Sequence, residues 1–200
     1  MELFTAIKER RAVKHFDAQA IMPESDFTQI MESALLSPTS YNIQHWRFVR
    51  VQTTQLKHQI KNAAWGQQQI EDASELLVLC ADTQAWRDRP QRYWENADKN
   101  TQNMLIPMLQ DFYRDKPQIQ RDECMRSCGM AAQTIMLSAK ALGYDTCPMI
   151  GFDQELVAEL IMLPKDHVVG LIIVIGKAKN PAHGRGGQLP LSEVLIKNTF

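Results

Sequence analysis

Cysteine is scarce in this sequence of 200 residues, and its spacing excludes the common cysteine-based sites. Only four cysteines are present, and they form neither a CxxC pair nor a cluster with histidine. Cys124 and Cys128 are one helical turn apart, which suits neither a tetrahedral zinc set nor a disulfide framework. Cys80 and Cys147 stand alone. We therefore expect four buried, reduced thiols and no metal centre.

Excess charge and long apolar runs are also missing. The net charge is −1 because 22 Lys and Arg residues are matched by 23 Asp and Glu residues, which argues against a nucleic acid as the main partner. No apolar run approaches the roughly 18 residues that a membrane span needs, and residues 1–4 do not begin a secretory leader. We expect a soluble, cytoplasmic protein without a membrane partner. The length and the 44% apolar content predict a single domain over residues 1–200.

Helix and strand patterns alternate along the chain without internal repeats. After Pro23, a favourable first helical residue, apolar side chains recur with the helical period, and a second helix is predicted near residue 60. These helical positions are Phe27, Ile30, Met31, Ala34 and Leu35, followed by Leu56, Ile60 and Ala63. The apolar runs 76–81 and 168–175 are typical of buried strands, and 47–51 and 144–148 also resemble strands.

Residues 123–142 give the clearest helical pattern, which Gly143 ends as a C-terminal cap. Its small residues Gly129, Ala131 and Ala132 would let another element approach closely. That element is either a helix of a second subunit or the chain's own sheet. Further on, Asp153 is placed to cap a helix over residues 154–160.

The segment 86–116 combines aromatic and charged residues, and its secondary structure is harder to predict. Pro90, Pro107 and Pro117 are expected to interrupt any long helix, so we predict two short helices there. The aromatic side chains fit either packing at an interface or contact with a ligand.

Ser37–Trp46 is a polar connection between a helix and a strand. Pro38 ends the preceding helix. Thr39, Ser40 and Asn42 then either face a ligand or hydrogen-bond to the local backbone. Taken alone, a self-capped loop is the simpler interpretation.

A basic segment follows a short N-terminal helix that carries Leu3 and Ile7 on one face. Arg10, Arg11 and Lys14 place three cations within five residues. Such a set would bind an anionic group, most simply a phosphate. The alternative is a solvated basic turn, which is the default for surface charge.

Five segments occur in the order and at the spacing of one known family. They are Arg10–Phe16, Ser37–Trp46, Ala64–Ser74, Gly143–Asp153 and Leu189–Val194. From residue 3 to about residue 195 the chain resembles the nitroreductase family of FMN-dependent, NAD(P)H-using oxidoreductases. The resemblance implies an α+β, three-layer fold whose central mixed, mainly antiparallel sheet is flanked by helices. It also implies an intertwined homodimer with one FMN per subunit at the interface.

The resemblance further implies how the chain contacts FMN. Backbone groups near Gly151 face flavin N5, Gln69 contacts the ring, and the charge of Lys14 near the pyrimidine end stabilises the anionic reduced flavin. No side-chain acid or base is required. The implied cofactor-binding residues are Arg10, Arg11, Ala12, Lys14, Pro38, Thr39, Ser40, Asn42, Gln69, Pro148, Met149, Ile150, Gly151 and Arg185.

Three positions depart from the family's pattern. Ala12 stands where many members carry a phosphate-binding serine, Gly66 where many carry an asparagine, and Gln188 where a basic residue is common. Arg185, three residues before Gln188, is expected to supply the missing phosphate contact together with Arg10 and Arg11.

Two segments are expected to reach the partner subunit. Residues from about 84 to 117 form a helical excursion over the substrate side, where Tyr41, Met108 and Phe112 line the pocket. Residues from about 178 to 200 cross to the partner and add an edge strand, which would cover Leu195 and Phe200.

The implied reaction is a ping-pong hydride transfer from NADH or NADPH to flavin N5, and then to a nitroaromatic, a quinone or a similar oxidised acceptor. A reductive dehalogenase or a flavin-fragmenting enzyme on the same scaffold is one alternative. A non-enzymatic flavin-binding module is another.

Overall fold

A four-stranded sheet forms the centre of the molecule. The computed structural model describes residues 1–200. The strands are β1 (Trp46–Arg50), β2 (Glu75–Asp82), β3 (Asp145–Met149) and β4 (His167–Gly176), in the order β1-β2-β4-β3. All three pairings are antiparallel, and a single parallel bridge joins Ala12 to Thr146 outside the strands. β1 and β3 are therefore the edge strands.

The chain forms eight α-helices. They are α1 (Leu3–Glu9), α2 (Glu24–Leu35), α3 (Thr54–Ala63), α4 (Gln69–Asp72), α5 (Lys99–Tyr113), α6 (Pro117–Ala141), α7 (Gln154–Leu160) and α8 (Leu191–Val194). Two short 3-10 helices cover Ser40–Asn42 and Pro90–Trp94. None of the helices is both long and apolar enough to cross a membrane.

Helices cover both faces of the sheet, which confirms the three-layer α+β fold. On one face, α3, α4 and α7 bury Ile60, Ile70 and Val157 against strand residues such as Val78. On the other face, α2 and α6 pack against the alternate strand residues, among them Leu79. Since successive strand side chains point to opposite faces, a strand covered on both sides must be apolar throughout. This explains the continuous apolar runs in β2 and β4.

Local capping follows the sequence predictions. Asp153 begins α7 by accepting a hydrogen bond from the N–H of Leu156 at 3.0 Å. Gly143 follows α6 with a φ of +79°, the left-handed conformation of a C-terminal cap. The four cysteines are all buried and unpaired, which confirms their prediction as reduced thiols.

The prediction that proline divides the segment 86–116 into two short helices was wrong in part. Pro90 does begin a short 3-10 helix, but α5 runs for 15 residues through Pro107. The exposed ring of Pro107 removes one backbone hydrogen bond, which the neighbouring turns tolerate. Pro117 lies in the first turn of α6, where no N–H is needed, so this helix begins well before Glu123.

Close packing of α6 on the sheet depends on Gly170. Leu79 pairs with Leu171 and Cys80 with Val169, so Gly170 is left over as a β-bulge. A Cβ atom at Gly170 would lie 3.0 Å from Cys128 Cβ and 3.2 Å from the carbonyl oxygen of Leu79. The sheet and α6 can therefore approach this closely only with glycine here.

The small residues of α6 serve two surfaces. Ala131 and Ala132 are buried within the chain's own layers. Gly129, in contrast, would have nothing within 4 Å of an added Cβ. The chain's own sheet thus accounts for part of the small-residue face, and the rest stays open.

The C-terminal tail forms no strand within the single chain. Residues 178–200 contain only α8, and Leu195, Ile196 and Phe200 are exposed. Addition of this tail to a partner's sheet stays a prediction.

Candidate functional site

Two arginines bind the carbonyl end of α1. Arg185 donates hydrogen bonds from Nη2 to the carbonyl oxygens of Ile7 at 3.2 Å and Lys8 at 3.3 Å. Arg11 donates from Nη1 to the carbonyl oxygen of Lys8 at 2.7 Å. The last carbonyls of a helix lack intrahelical partners and carry partial negative charge, so they attract cations. The sequence positions 11 and 185 meet here although they lie far apart in the chain.

Arg10 lies beside these two arginines and has no acidic partner. Partial burial, together with the positive charges of Arg185 and Arg11, lowers the pKa of the Arg10 guanidinium. No carboxylate forms a salt bridge with any of the three, and the Arg10 side chain donates no hydrogen bond. Uncompensated guanidinium groups of this kind bind phosphate or carboxylate in a forked geometry. The structure therefore brings together the three arginines that the sequence analysis assigned to a phosphate.

The basic segment then runs alongside β3. The N–H of Val13 donates to the carbonyl oxygen of Thr146 at 3.0 Å, which places Lys14 next to the middle of that strand. Lys14 Nζ lies 3.4 Å from the Sγ atom of Cys147. Burial raises the pKa of the Cys147 thiol, whereas the Lys14 ammonium lowers it. Ala12 contributes only its backbone at the bridge to Thr146.

Gln69 is held by a second sulfur of the same strand. Its Nε2 atom donates to Met149 Sδ at 3.3 Å and to Gln67 Oε1 at 2.8 Å. Cys147 and Met149 point to the same face because they are two residues apart in β3. No donor in the chain reaches Gln69 Oε1, although the side chain as a whole is buried. This oxygen is thus available to accept a hydrogen bond from a ligand.

The bend after β3 contains backbone N–H groups that have no hydrogen-bond acceptor. Pro148 lies in the edge strand β3, and Ile150, directly after this strand, has an exposed side chain. The N–H groups of Ile150 and Gly151 find no acceptor within the chain. Gln67 Nε2 donates to the carbonyl oxygen of Gly151 at 2.8 Å, and an added Cβ at Gly151 would lie 3.3 Å from the ring of Trp65.

The polar loop before β1 combines local capping with backbone strain. Thr39 Oγ1 accepts from the N–H of Gln44 at 3.0 Å, and Asn42 Nδ2 donates to the carbonyl oxygen of Tyr93 at 2.8 Å. Tyr41, Asn42 and Gln44 have φ values of 51°, 55° and 53°. Positive φ at non-glycine residues is costly and is concentrated at functional sites. The loop is partly self-capped, as one interpretation of the sequence proposed, and Ser40 and Tyr41 stay available.

The predicted pocket residues cluster where the Ser40–Asn42 turn meets α5. The ring centroids of Tyr41 and Phe112 are 6.0 Å apart. Met108 is one helical turn before Phe112 and therefore shares its helix face. Both side chains are exposed. Together the three give an accessible apolar wall.

The loop cluster and the Lys14–Gln69 group do not meet within one chain. No hydrogen bond or ring contact joins them, and they lie at opposite edges of the sheet. Three strand spacings separate β1 from β3, which corresponds to about 14 Å. The predicted cofactor residues therefore form two separate half-sites.

Several neighbours of the site were not identified from the sequence. Cys147 was interpreted only as a core thiol, and Gln69 was the one residue of the segment 65–69 that was singled out for a ring contact. Cys147 lies in the predicted strand 144–148, but Met149 was assigned to the bend after it. The observed strand continues through Met149, which places both residues on one face. Their pairing with Lys14 and Gln69 depends on contacts between distant segments, which no spacing reveals.

Comparisons with known proteins identify the family of the chain. The sequence profile of the Nitroreductase family matches residues 7–177. DrgA of Synechocystis is 45% identical over 200 residues, which cover 98% of this chain and 95% of DrgA. MhqN of Bacillus subtilis, to which an NAD(P)H nitroreductase activity is ascribed, is 31% identical over 94% of each chain.

Solved structures show the same fold. A protein of Exiguobacterium sibiricum, crystallised in complex with FMN, superposes with a TM-score of 0.91 at 26% identity, over 99% of this chain and 98% of that one. A Staphylococcus epidermidis protein to which NAD(P)H:FMN oxidoreductase activity is ascribed gives a TM-score of 0.91 at 28% identity, over 98% and 95% of the two chains. The profile match covers most of the sequence and the relatives span nearly its whole length, so the chain belongs to the nitroreductase family.

Proposed function

We propose that the protein is an FMN-dependent NAD(P)H oxidoreductase. It takes hydride from NADH or NADPH and, after the nicotinamide leaves, passes it to a nitroaromatic, a quinone or a similar oxidised acceptor. The observation that carries this proposal is the cluster of Arg10, Arg11 and Arg185, which no carboxylate neutralises, at one end of a surface that also presents Gln69 and Lys14. The activities ascribed to MhqN and to the Staphylococcus epidermidis protein support it.

The donor set fits FMN. The phosphate matches the arginine cluster, because a dianion requires several cations that are not already paired. The ring's pyrimidine edge alternates donors and acceptors, and Gln69 Oε1 and Lys14 Nζ offer one acceptor and one donor on the same side of β3. FMN supplies hydride acceptance and donation at its N5 atom when it is bound.

Each side chain then has a physical task. Arg10 binds the phosphate and so fixes the position of the cofactor relative to the chain. Lys14 holds positive charge where the reduced ring carries negative charge, which favours reduction. The free N–H groups of Ile150 and Gly151 offer donors to the ring edge. None of these tasks requires a residue to gain or lose a proton.

The complete site requires a second copy of the chain. Ser40 and Tyr41 lie at the edge of the sheet opposite to Gln69, too far away to cover a ring bound there. Phe4 and Leu36 are 83% and 85% exposed, an apolar surface that a homodimer would bury. In such a dimer the partner's loop closes over the ring, and Tyr41, Met108 and Phe112 line the space for the acceptor.

The test is direct. The purified protein is analysed for bound FMN, and NADH or NADPH is then added under nitrogen. Bleaching of the flavin absorbance, followed by its recovery with a nitrofuran or a quinone, is expected. Colour without bleaching would indicate a flavin-binding module, and permanent loss of the isoalloxazine spectrum would indicate a flavin-fragmenting enzyme. A protein that binds no added FMN, or that remains a monomer with it, would refute the proposal.

A further inference from the structure

We propose that Cys147 is a positioning residue for the redox step: its sulfur holds the Lys14 ammonium beside the ring, so that the thiol sets the flavin potential through Lys14. This inference rests on the proposed function and assigns a role to a residue of the sheet core.

The first argument is that Lys14 has no other partner. Its side chain forms no salt bridge, and the Sγ atom of Cys147, at 3.4 Å, is the one acceptor that its ammonium reaches in the chain. Lys14 itself is largely exposed. A lysine on an exposed edge samples many rotamers, so loss of this contact frees the ammonium to move into solvent.

The second argument concerns charge. A carboxylate at position 147 would bind the ammonium more tightly but would also cancel its charge. Cys147 is fully buried, and burial raises the pKa of its thiol, so it stays neutral. A neutral, weak acceptor orients the lysine and leaves its positive charge available to the reduced ring.

The third argument is that β3 carries a second sulfur atom that accepts a hydrogen bond from a polar side chain. Met149, two residues further along β3, accepts a hydrogen bond from Gln69 Nε2 at 3.3 Å through its thioether sulfur. Two uncharged sulfur acceptors on one face of β3 thus fix the two polar side chains assigned to the pyrimidine end of the ring. A core that needed only apolar volume at these positions would be served equally well by valine and leucine.

A matched control is available in Cys80. This thiol is equally buried and lies on β2, in the same apolar cluster as Cys147. It contacts no cation. Substitution of Cys80 by alanine therefore reproduces the loss of a buried sulfur without touching Lys14.

The experiment measures the midpoint potential of the bound FMN by equilibration with redox dyes. For Cys147→Ala we expect the preference of the protein for reduced over oxidised FMN, measured as a ratio of affinities, to fall about tenfold. This corresponds to a shift of about −30 mV in the midpoint potential of the two-electron couple. Cys147→Ser keeps an acceptor and should stay close to the wild-type potential, as should Cys80→Ala. If Cys147→Ala does not fold, Cys147→Val removes the acceptor without leaving a cavity.

A double substitution separates positioning from packing. In a Lys14→Met background, Cys147→Ala should produce no further shift, because the two residues act as one unit. An unchanged potential in Cys147→Ala or Cys147→Val, or an equal shift with and without Lys14, would overturn this inference while FMN binding stays intact. Failure of the wild-type protein to bind FMN would instead overturn the proposed function on which the inference rests.

Discussion

Substitution of Arg10 by alanine should separate cofactor binding from folding. In the free protein Arg10 donates no hydrogen bond, and its neighbours Arg11 and Arg185 repel it. Its removal should therefore leave the free energy of unfolding of the apoprotein unchanged within about 1 kcal/mol. Loss of charge-assisted hydrogen bonds to the phosphate costs about 1.5–3 kcal/mol, which weakens FMN binding by about 10- to 150-fold.

The assay compares FMN with riboflavin, which lacks the phosphate. Apoprotein is titrated with each ligand, and binding is followed by the change in flavin fluorescence. Arg10→Ala should weaken FMN binding and leave riboflavin binding unchanged, so the advantage of FMN over riboflavin shrinks by the same factor. Arg87→Ala removes an exposed arginine that pairs only with Asp88, and it should affect neither ligand.

Salt provides an independent check. Binding of a dianion to exposed cations weakens as ionic strength rises, since mobile ions screen the attraction. The dependence of FMN affinity on salt should be steeper for the wild type than for Arg10→Ala. If FMN affinity were unchanged in Arg10→Ala, or if riboflavin lost as much affinity as FMN, the arginine cluster would not be the phosphate site.

Three further predictions concern the scaffold. Gly170→Ala should destabilise the fold by about 1–3 kcal/mol, because its Cβ would lie 3.0 Å from Cys128 Cβ. Gly184→Ala is the control, since its Cβ would have nothing within 4 Å and should not affect stability. Chemical unfolding of the two variants measures the difference. Pro107→Ala should stabilise the fold by about 2 kcal/mol by restoring a hydrogen bond within α5, measured in the same way. Burial, assisted by Arg47, lowers the pKa of His45 to about 4. The unfolded chain therefore takes up this proton first, and about 3 kcal/mol of stability is lost as the pH falls from about 6.5 to about 4. His45→Gln should flatten this loss in urea unfolding at a series of pH values, and an equally steep loss in the variant would exclude His45 as its source.

The elements that pack on both sides of the sheet could be predicted from the sequence. Leu76–Ala81 and Val168–Ile175 were identified as strands because a strand covered by helices on both faces has no polar positions. The helix that ends before Gly143 was identified from its apolar period and its cap. In these cases local residue preference and the final packing agree.

Prediction failed where packing overrode a local preference. Pro107 has an intrinsic preference against the middle of a helix, yet α5 continues through it because the buried side chains of Leu109 and Tyr113 hold the following turn. The positive φ values of Tyr41 and Gln44 carry no signal in the sequence, since neither residue type favours the left-handed region, as Asn42 does. The contact between Lys14 and Cys147 joins positions 133 residues apart and follows only from the pairing of Ala12 with Thr146.

The placement of the half-sites explains why this fold would bind a planar cofactor between two copies. Trp46 pairs with Ala81 near the end of β2, whereas Met149 pairs with Ile172 in the middle of β4. The polar loop therefore leaves the end of one edge strand, and the bend after β3 leaves the opposite edge nearer to its middle. A ring bound at Gln69 would have backbone donors on one side and solvent on the other. In an isologous dimer the same surface of both chains forms the interface, so a contact between residue i of one chain and residue j of its partner occurs twice. Each chain would then place its Ser40–Tyr41 loop over the ring bound to its partner, which yields two equivalent sites. Cofactor binding would therefore stabilise the dimer, and dimer formation would strengthen cofactor binding.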